Sequence, residues 1–320
     1  MRNAIAFAAL LLGASTTGSA ATGNDAPPAW AYPVNPPGLK PAPDDGSPRH
    51  VPDSEGAFTL TQIRDLFFAP DWHPGDHPAM PAIVAQGRKP DVLACGSCHR
   101  ADGSGGPENA RIAGLPAAYI VQQMADFKSG ARRSAVPERV PPQLMVATAK
   151  AINDQEIEAA AAYFSALKPR SAIKIVEAES VPKTGVAGWH LAAAADPGTE
   201  PIGQRIIEVP ENSEHFENRD GWARFVAYVP PGSVQRGQAL ADPRGDDALP
   251  CGMCHGPDLK GSEQAPGIAG RSPGYVVRQL HDFKTGARAG RGSALMQPVV
   301  ENLSMEDMIA LAAYVASLSP

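Results

Sequence analysis

The sequence predicts a mainly α-helical protein: two tandem copies of one small domain, a small β-containing segment between them, and a loop-rich N-terminal extension. Three observations carry this expectation. The chain repeats itself, because Cys95-Gly-Ser-Cys-His99 recurs 156 residues later as Cys251-Gly-Met-Cys-His255. Each copy closes on an apolar pattern of helical spacing, as Ile157, Ala160, Ala161, Phe164 and Leu167 show in the first. Between the copies, Ile173 to Val176, Ile206 to Val209 and Phe225 to Val229 are β-branched or aromatic runs bounded by proline.

Residues 1–20 read as a secretory leader. Arg2 gives a positive start, Ala4 to Leu12 is an apolar run too short to span a bilayer, and Gly18-Ser19-Ala20 is a small-residue cleavage site. A periplasmic location is expected, with no transmembrane span after cleavage, since no later stretch approaches the length a span needs. Residues 21–53 are rich in proline and aspartate and are expected to wrap or stay flexible. The first domain is assigned to residues 54–169. It opens with a short amphipathic helix carrying Leu60, Ile63, Leu66 and Phe67 on one side. Residues 170–232 form the interdomain segment with short strands, and residues 233–320 the second domain.

The repeat is ungapped through its middle. At the offset of 156, Ile112-Ala-Gly114 falls on Ile268-Ala-Gly270, and Tyr119 and Gln123 meet Tyr275 and Gln279. Asp126-Phe-Lys128 and Gly130-Ala-Arg132 meet Asp282-Phe-Lys284 and Gly286-Ala-Arg288. Five extra residues, Val136 to Val140, then shift the offset to 151, so that Met145 meets Met296 and Tyr163 meets Tyr314. Ala117 to Ser129 and Pro273 to Thr285 are expected to be helical, stopped by Gly130 and Gly286. The final helices begin with capping boxes, Asn153 with Glu156 and Ser304 with Asp307.

Composition narrows the function. A formal net charge of -6 over 320 residues argues against nucleic acid as a partner, because phosphate binding needs a basic face. The 31 glycines and 33 prolines, one residue in five, point to abundant turn and loop.

The chemistry lies in Cys-x-x-Cys-His, which is the haem attachment pattern. Two thiols three positions apart share a helical turn and can reach the two vinyl groups on one porphyrin edge. The adjacent histidine projects a ring nitrogen at the iron. Two covalently bound haem c groups are therefore expected, held by Cys95, Cys98 and His99 and by Cys251, Cys254 and His255. The alternatives are a redox dithiol or one zinc site built from all four cysteines. Both pairs carry the adjacent histidine, which favours haem.

An iron that only passes electrons needs a second axial ligand, commonly a methionine thioether. The candidates are Met80, Met124, Met145, Met253, Met296, Met305 and Met308. Met124 faces Leu280 across the repeat and reads as core. Met305 and Met308 face Asp154 and Ile157, and Met253 lies between attachment cysteines. Met145 and Met296 match each other, each in a loop ahead of the last helix. The alternative is a loop methionine packed in the core.

Other residues invite roles. Asp71-Trp-His-Pro-Gly-Asp-His77 holds two histidines and two carboxylates; a structured polar loop is favoured over a metal site, because Pro74 and Gly75 break any helix that would align the histidines. His190, His215 and His281 are distal candidates in a bis-histidine scheme. Tyr119, Tyr275, Arg132 and Arg288 could bind haem propionates, and Lys128 and Lys284 could face a negative partner.

The order CxxCH, Ile-Ala-Gly, Tyr, Gln, Phe-Lys-x-Gly-x-Arg, Met and a final helix with Ala-x-Tyr resembles class I c-type cytochromes. The duplicated form resembles the dihaem cytochrome c4 type over a little more than half of the chain. The resemblance implies two tandem class I cytochrome c domains, with His99 and Met145 on one iron and His255 and Met296 on the other. It also implies single-electron transfer between redox proteins, a donor and an acceptor such as a dehydrogenase or a terminal oxidase. The N-terminal 60 mature residues and the 170–232 segment have no place in that pattern, and the first unit lacks a long helix ahead of Cys95. The competing class is a dihaem oxidoreductase, a peroxidase or a sulfur-compound enzyme, with an open distal site at the first haem.

Overall fold

The computed structural model describes residues 26–242, 249–263 and 265–320; the expected leader lies outside them. Thr59 starts α1 (Leu60–Arg64) with a capping box to Gln62. Leu60 and Ile63 bury its inner face against Val51 and Trp72. The expectation that Leu66 and Phe67 continue this helix fails. Asp65 turns extended, and its carboxylate takes the Phe67 N–H at 2.8 Å, the local capture that short acidic side chains favour.

The rest of the first copy is helical. α2 (Ala82–Ala85) and α3 (Cys95–His99) are short, and α4 (Ala117–Ser129) stops at Gly130, where φ is 77°. α5 (Val140–Ala151) starts on Pro141 and Pro142, whose fixed φ and missing N–H suit a first turn. α6 (Asp154–Ala166) begins with the Asn153–Glu156 capping box. These helices enclose Ile83, Val84, Val92, Ile157, Phe164 and Leu167. Burying a side chain such as Phe164 contributes about 1.5–3 kcal/mol.

The interdomain segment runs β1 (Ile173–Glu177), β2 (Ser180–Pro182), β3 (Thr184–Ala187), β4 (His190–Ala193), β5 (Thr199–Pro201), β6 (Ile207–Pro210), α7 (Ser213–Glu217) and β7 (Phe225–Val229). β7 sits centrally, parallel to β1 with Ile173 opposite Phe225, and antiparallel to β6 with Ile207 opposite Tyr228. β2 pairs with β5 and β3 with β4. The second copy follows as α8 (Ser233–Ala241), α9 (Gly252–His255), α10 (Pro273–Lys284), a 3-10 turn at Ser293–Leu295, α11 (Gln297–Val300) and α12 (Met305–Ser317). α8 crosses α12 where Gly237 lies against the Ala310 carbonyl, with no room for a side chain.

The sheet is welded to the second copy. Ile206, Ala227 and Val229 share one core with Val277, Ile309, Ala312 and Ala313, and Ala31 and Tyr32 of the N-terminal extension complete it. Of the two outcomes expected for residues 21–53, the described part wraps. The Tyr32 hydroxyl donates to Asp282 Oδ1 at 2.8 Å, and Arg278 donates to the Ala31 carbonyl at 2.8 Å.

The two copies meet across their Gly-Ala-Arg turns. Arg133 N donates to the Ala287 carbonyl and Ala289 N to the Ala131 carbonyl, both at 2.8 Å. Arg132 donates to Gln123 Oε1 (2.7 Å) in its own copy and to Tyr275 Oη (3.0 Å) and Gln279 Oε1 (3.1 Å) in the other. Arg288 mirrors this with Gln279 Oε1 (2.9 Å), Tyr119 Oη (2.8 Å) and Gln123 Oε1 (2.9 Å). Among the described residues, no helix is long and apolar enough to cross a membrane.

Candidate functional site

α3 carries Cys95, Cys98 and His99 within little more than one turn of a short helix. The His99 ring is fixed by donating its Nδ1–H to the Ala110 carbonyl at 2.8 Å, which leaves Nε2 as the free lone pair. His255 repeats the arrangement with the Pro266 carbonyl, also at 2.8 Å. Ala110 and Pro266 are themselves repeat partners. Burial pushes both imidazoles below their usual range, against the opposing pull of those carbonyl bonds, so both rings are held neutral.

Burial also pushes the Cys95 thiol up to about 12, with Cys98 adding to the effect, and raises Cys251. A zinc site needs thiolates. Among the described residues no group of three or more His, Cys, Asp or Glu is placed to hold a metal ion. The four-cysteine zinc alternative therefore has no geometry.

Cys95, Cys98, His99 and Met145 line one cavity. Its walls include Leu115, Ile120, Ile157, Ala160 and Phe164, and it holds about 1530 Å³ of space free of atoms, its open mouth included. Its polar edge carries Arg132, Arg139, Arg271 and Arg278 beside Glu108 and Asp282. Arg139 is 3% exposed, and its Nε is buried without a partner. One of its terminal nitrogens donates to the Trp189 carbonyl in the β3–β4 turn at 3.3 Å. Burial, with Arg278 nearby, pushes this guanidinium down to about 8. An anion at this rim would satisfy the orphaned donor, and haem propionates are such anions. An apolar slot with thiols and imidazole at one edge and unsatisfied guanidinium at another fits the group.

Sequence reasoning saw the five-residue insertion only as a length difference, yet it carries Arg139. The signal was a lone arginine between prolines, which gives no hint of its destination. Trp189 from the interdomain segment and Tyr275, Gln279 and Asp282 from the second copy also line this cavity. Of the residues expected to meet propionates, Arg132, Tyr119 and Tyr275 line this cavity, and Arg132 and Arg288 also join the copies.

Met145 reaches the cavity from within α5, not from a loop as expected, because the Pro-Pro start lets the helix begin inside the insertion. Met124 lines the same cavity from α4 while packing on the first core, so its reading as core was incomplete. Met296 ends the 3-10 turn and leads into α11. Met80 and Met305 pack against the cores, Met308 is buried, and Met253 is exposed.

The Asp71–His77 loop is structural. His77 Nε2 meets Asp71 Oδ1 at 3.1 Å, while His73 Nε2 meets Asp220 Oδ1 at 3.0 Å and stacks on Trp222 at 4.0 Å. The two histidines thus serve different carboxylates and tie the first copy to the interdomain segment. His190 packs on Phe216, His215 lies 3.9 Å from Asp220, and His281 meets Tyr32. None of the three lines the cavity. Lys284 donates to the Leu303 carbonyl, whereas Lys128 is exposed.

The family model described as Cytochrome c matches residues 84–168 and 234–319. The chain is 28% identical over 249 residues to "Cytochrome c4" of Azotobacter vinelandii, covering 76% of this chain and 91% of that one. It is 27% identical over 236 residues to the "Thiosulfate dehydrogenase electron acceptor" of Thiomonas intermedia, covering 72% and 82%. The solved structure of reduced recombinant cytochrome c4 from Pseudomonas stutzeri aligns with a TM-score of 0.46 and 24% identity, covering 70% of this chain and 93% of that one.

Proposed function

Because the chain belongs to the cytochrome c family and carries two covalently bound haem c groups, we propose that it is a periplasmic carrier passing single electrons from a dehydrogenase to a second redox protein. His99 and Met145 hold one iron, and His255 and Met296 the other. The single observation that carries this reading is the convergence of Cys95, Cys98, His99 and Met145 on one apolar cavity.

When bound, the haem iron supplies the one-electron couple, and the chain's residues set its conditions. The Ala110 and Pro266 carbonyls orient the two imidazoles and make them better donors. Ile157, Ala160 and Phe164 keep water from one side of the first site. Arg139, on the wall of the first cavity, would offer its unpartnered Nε to a haem propionate. The name borne by the Thiomonas intermedia relative, an electron acceptor for thiosulfate dehydrogenase, supports a dehydrogenase as donor. The competing enzyme reading needs a first iron open on its distal side, and it is disfavoured by two methionines, Met145 and Met124, on that cavity.

Visible spectra of the pure protein in both oxidation states test the proposal. Two haems per chain with a weak methionine-to-iron band at the red end of the oxidised spectrum are expected. High-spin bands, or rapid carbon monoxide binding to the reduced protein, would overturn closed coordination at both irons.

A further inference from the structure

The repeat allows one surface to be compared with itself. In the first copy Ser97, between the attachment cysteines, is 0% exposed, whereas its counterpart Met253 is 66% exposed. A Cβ on Gly96 would meet Ala69 Cβ at 2.7 Å, but one on Gly252 would meet nothing nearer than Pro257 at 3.5 Å in its own loop.

The cover over the first copy comes from the two stretches that lie outside the repeat. Ala94 N donates to the Leu66 carbonyl at 2.9 Å, and Arg219 Nη1 donates to the Ser97 carbonyl. Arg219 adopts a left-handed φ of 56° to do so, an unfavourable conformation for a side chain of its size. Trp72 Nε1 bonds the Asn218 carbonyl at 2.7 Å, locking the two pieces of cover together.

We infer that residues 66–73 and 213–222 permanently occupy the attachment face of the first copy. The equivalent face of the second copy, centred on Met253, is then the single surface through which a redox protein exchanges electrons with either haem. The inference rests on the two-haem reading above. The intramolecular cover shows which chemistry suits this surface: a cationic side chain on the carbonyl between the cysteines, with small apolar groups over the glycine beside it. The partner is accordingly a redox protein whose cofactor edge presents lysine or arginine around an apolar centre. Each encounter moves one electron from partner to chain, or the reverse, and no bond is made or broken.

The test uses the full dihaem protein and, as donor, a zinc-substituted, lysine-rich c-type cytochrome that releases one electron when excited by light. The substitution Met253→Lys, which sets a like charge against the lysine-rich donor, is expected to slow the bimolecular reduction of both haems about tenfold or more, while haem content and reduction by dithionite stay at wild-type values. Should that variant lose haem, Met253→Gln, which removes the apolar contact alone, is read the same way. In the wild-type protein, amides 95–98 are expected to exchange more slowly than amides 251–254, and adding the donor protein is expected to protect 252–255 only. A smaller fall in rate in a variant holding both haems, slowing of one haem alone, or protection of amides 95–98 by the donor would overturn the inference. Fewer than two haems in the wild-type protein would instead overturn the reading beneath it.

Discussion

Arg132 and Arg288 lie opposite one another in an antiparallel backbone bridge, and each sends its guanidinium to a tyrosine of the other copy. Both are largely buried, at 9% and 7% exposure. Burial raises the Tyr275 hydroxyl, but Arg132, Arg288 and Arg271 outweigh it and pull the group down to about 8. The pairing explains why Gly-Ala-Arg recurs in both copies: it is the joint between them.

Removing either guanidinium strands buried acceptors. Arg132→Met and Arg288→Met are each expected to destabilise the protein by about 1–3 kcal/mol. Gln123 and Gln279 accept from both arginines, so each single variant leaves both amides one donor, and the double variant is expected to lose more than the two single losses added together. Urea denaturation of the four proteins in the cycle measures this.

The two methionines of the first cavity are separable by spectrum. Met145→Ala is expected to abolish the red-end band of one haem and admit carbon monoxide to it. Met124→Ala is expected to leave ligation intact and to cost about 2 kcal/mol or more of stability. The reverse outcome would assign the ligand to α4 in place of α5.

Arg139 places a buried cation at the rim of the first cavity. A nearby positive charge favours the reduced iron, which carries one charge fewer. Arg139→Gln is therefore expected to lower the reduction potential of the first haem by on the order of tens of millivolts. Arg139→Lys should lower it less, and the second haem should not move. A spectroelectrochemical titration resolves the two.

Glu208 on β6 accepts from Ser272 Oγ at 2.7 Å and Gly274 N at 3.2 Å, but its Oε1 is buried without a partner. Burial outweighs those bonds and raises its pKa from 4.5 to about 7. A carboxyl raised in the folded state stabilises relative to its ionised form below its unfolded value, and that advantage is lost as pH rises through the folded one. Stability should thus fall between about pH 4.5 and 7, by about 3 kcal/mol in order of magnitude. Glu208→Gln keeps an acceptor for Ser272 and Gly274 and should flatten this part of the curve, as urea midpoints at several pH values would show.

Cys95, Cys98, His99, Cys251, Cys254 and His255 were legible in the sequence because their chemistry is local: each set lies within five residues. The Asn153 and Ser304 capping boxes were legible for the same reason, and both form as expected. Gly130 likewise stops α4 where the pattern placed it. What was not legible depends on convergence. Arg139 becomes meaningful only beside Trp189 and Arg278, and nothing local to the insertion announces either. Met124 was assigned to the core because Leu280 is its counterpart, yet a helix side chain can touch core and cavity together. The 170–232 runs were recognisable as strands, but their union with α10 and α12 depends on Val277, Ile309 and Ala312 meeting them from far along the chain.

The Tyr32–Asp282 hydrogen bond spans 250 residues. Closing so long a loop carries an entropic cost that local contacts do not, so this contact forms late, once α10 has a packed core to offer. Tyr32 lies near the beginning of the chain and its anchor near the end. The second copy must be synthesised before the N-terminal strap has anything to fasten to. Until then that strap stays open to proteases, and its resistance to them reports that the second copy has folded.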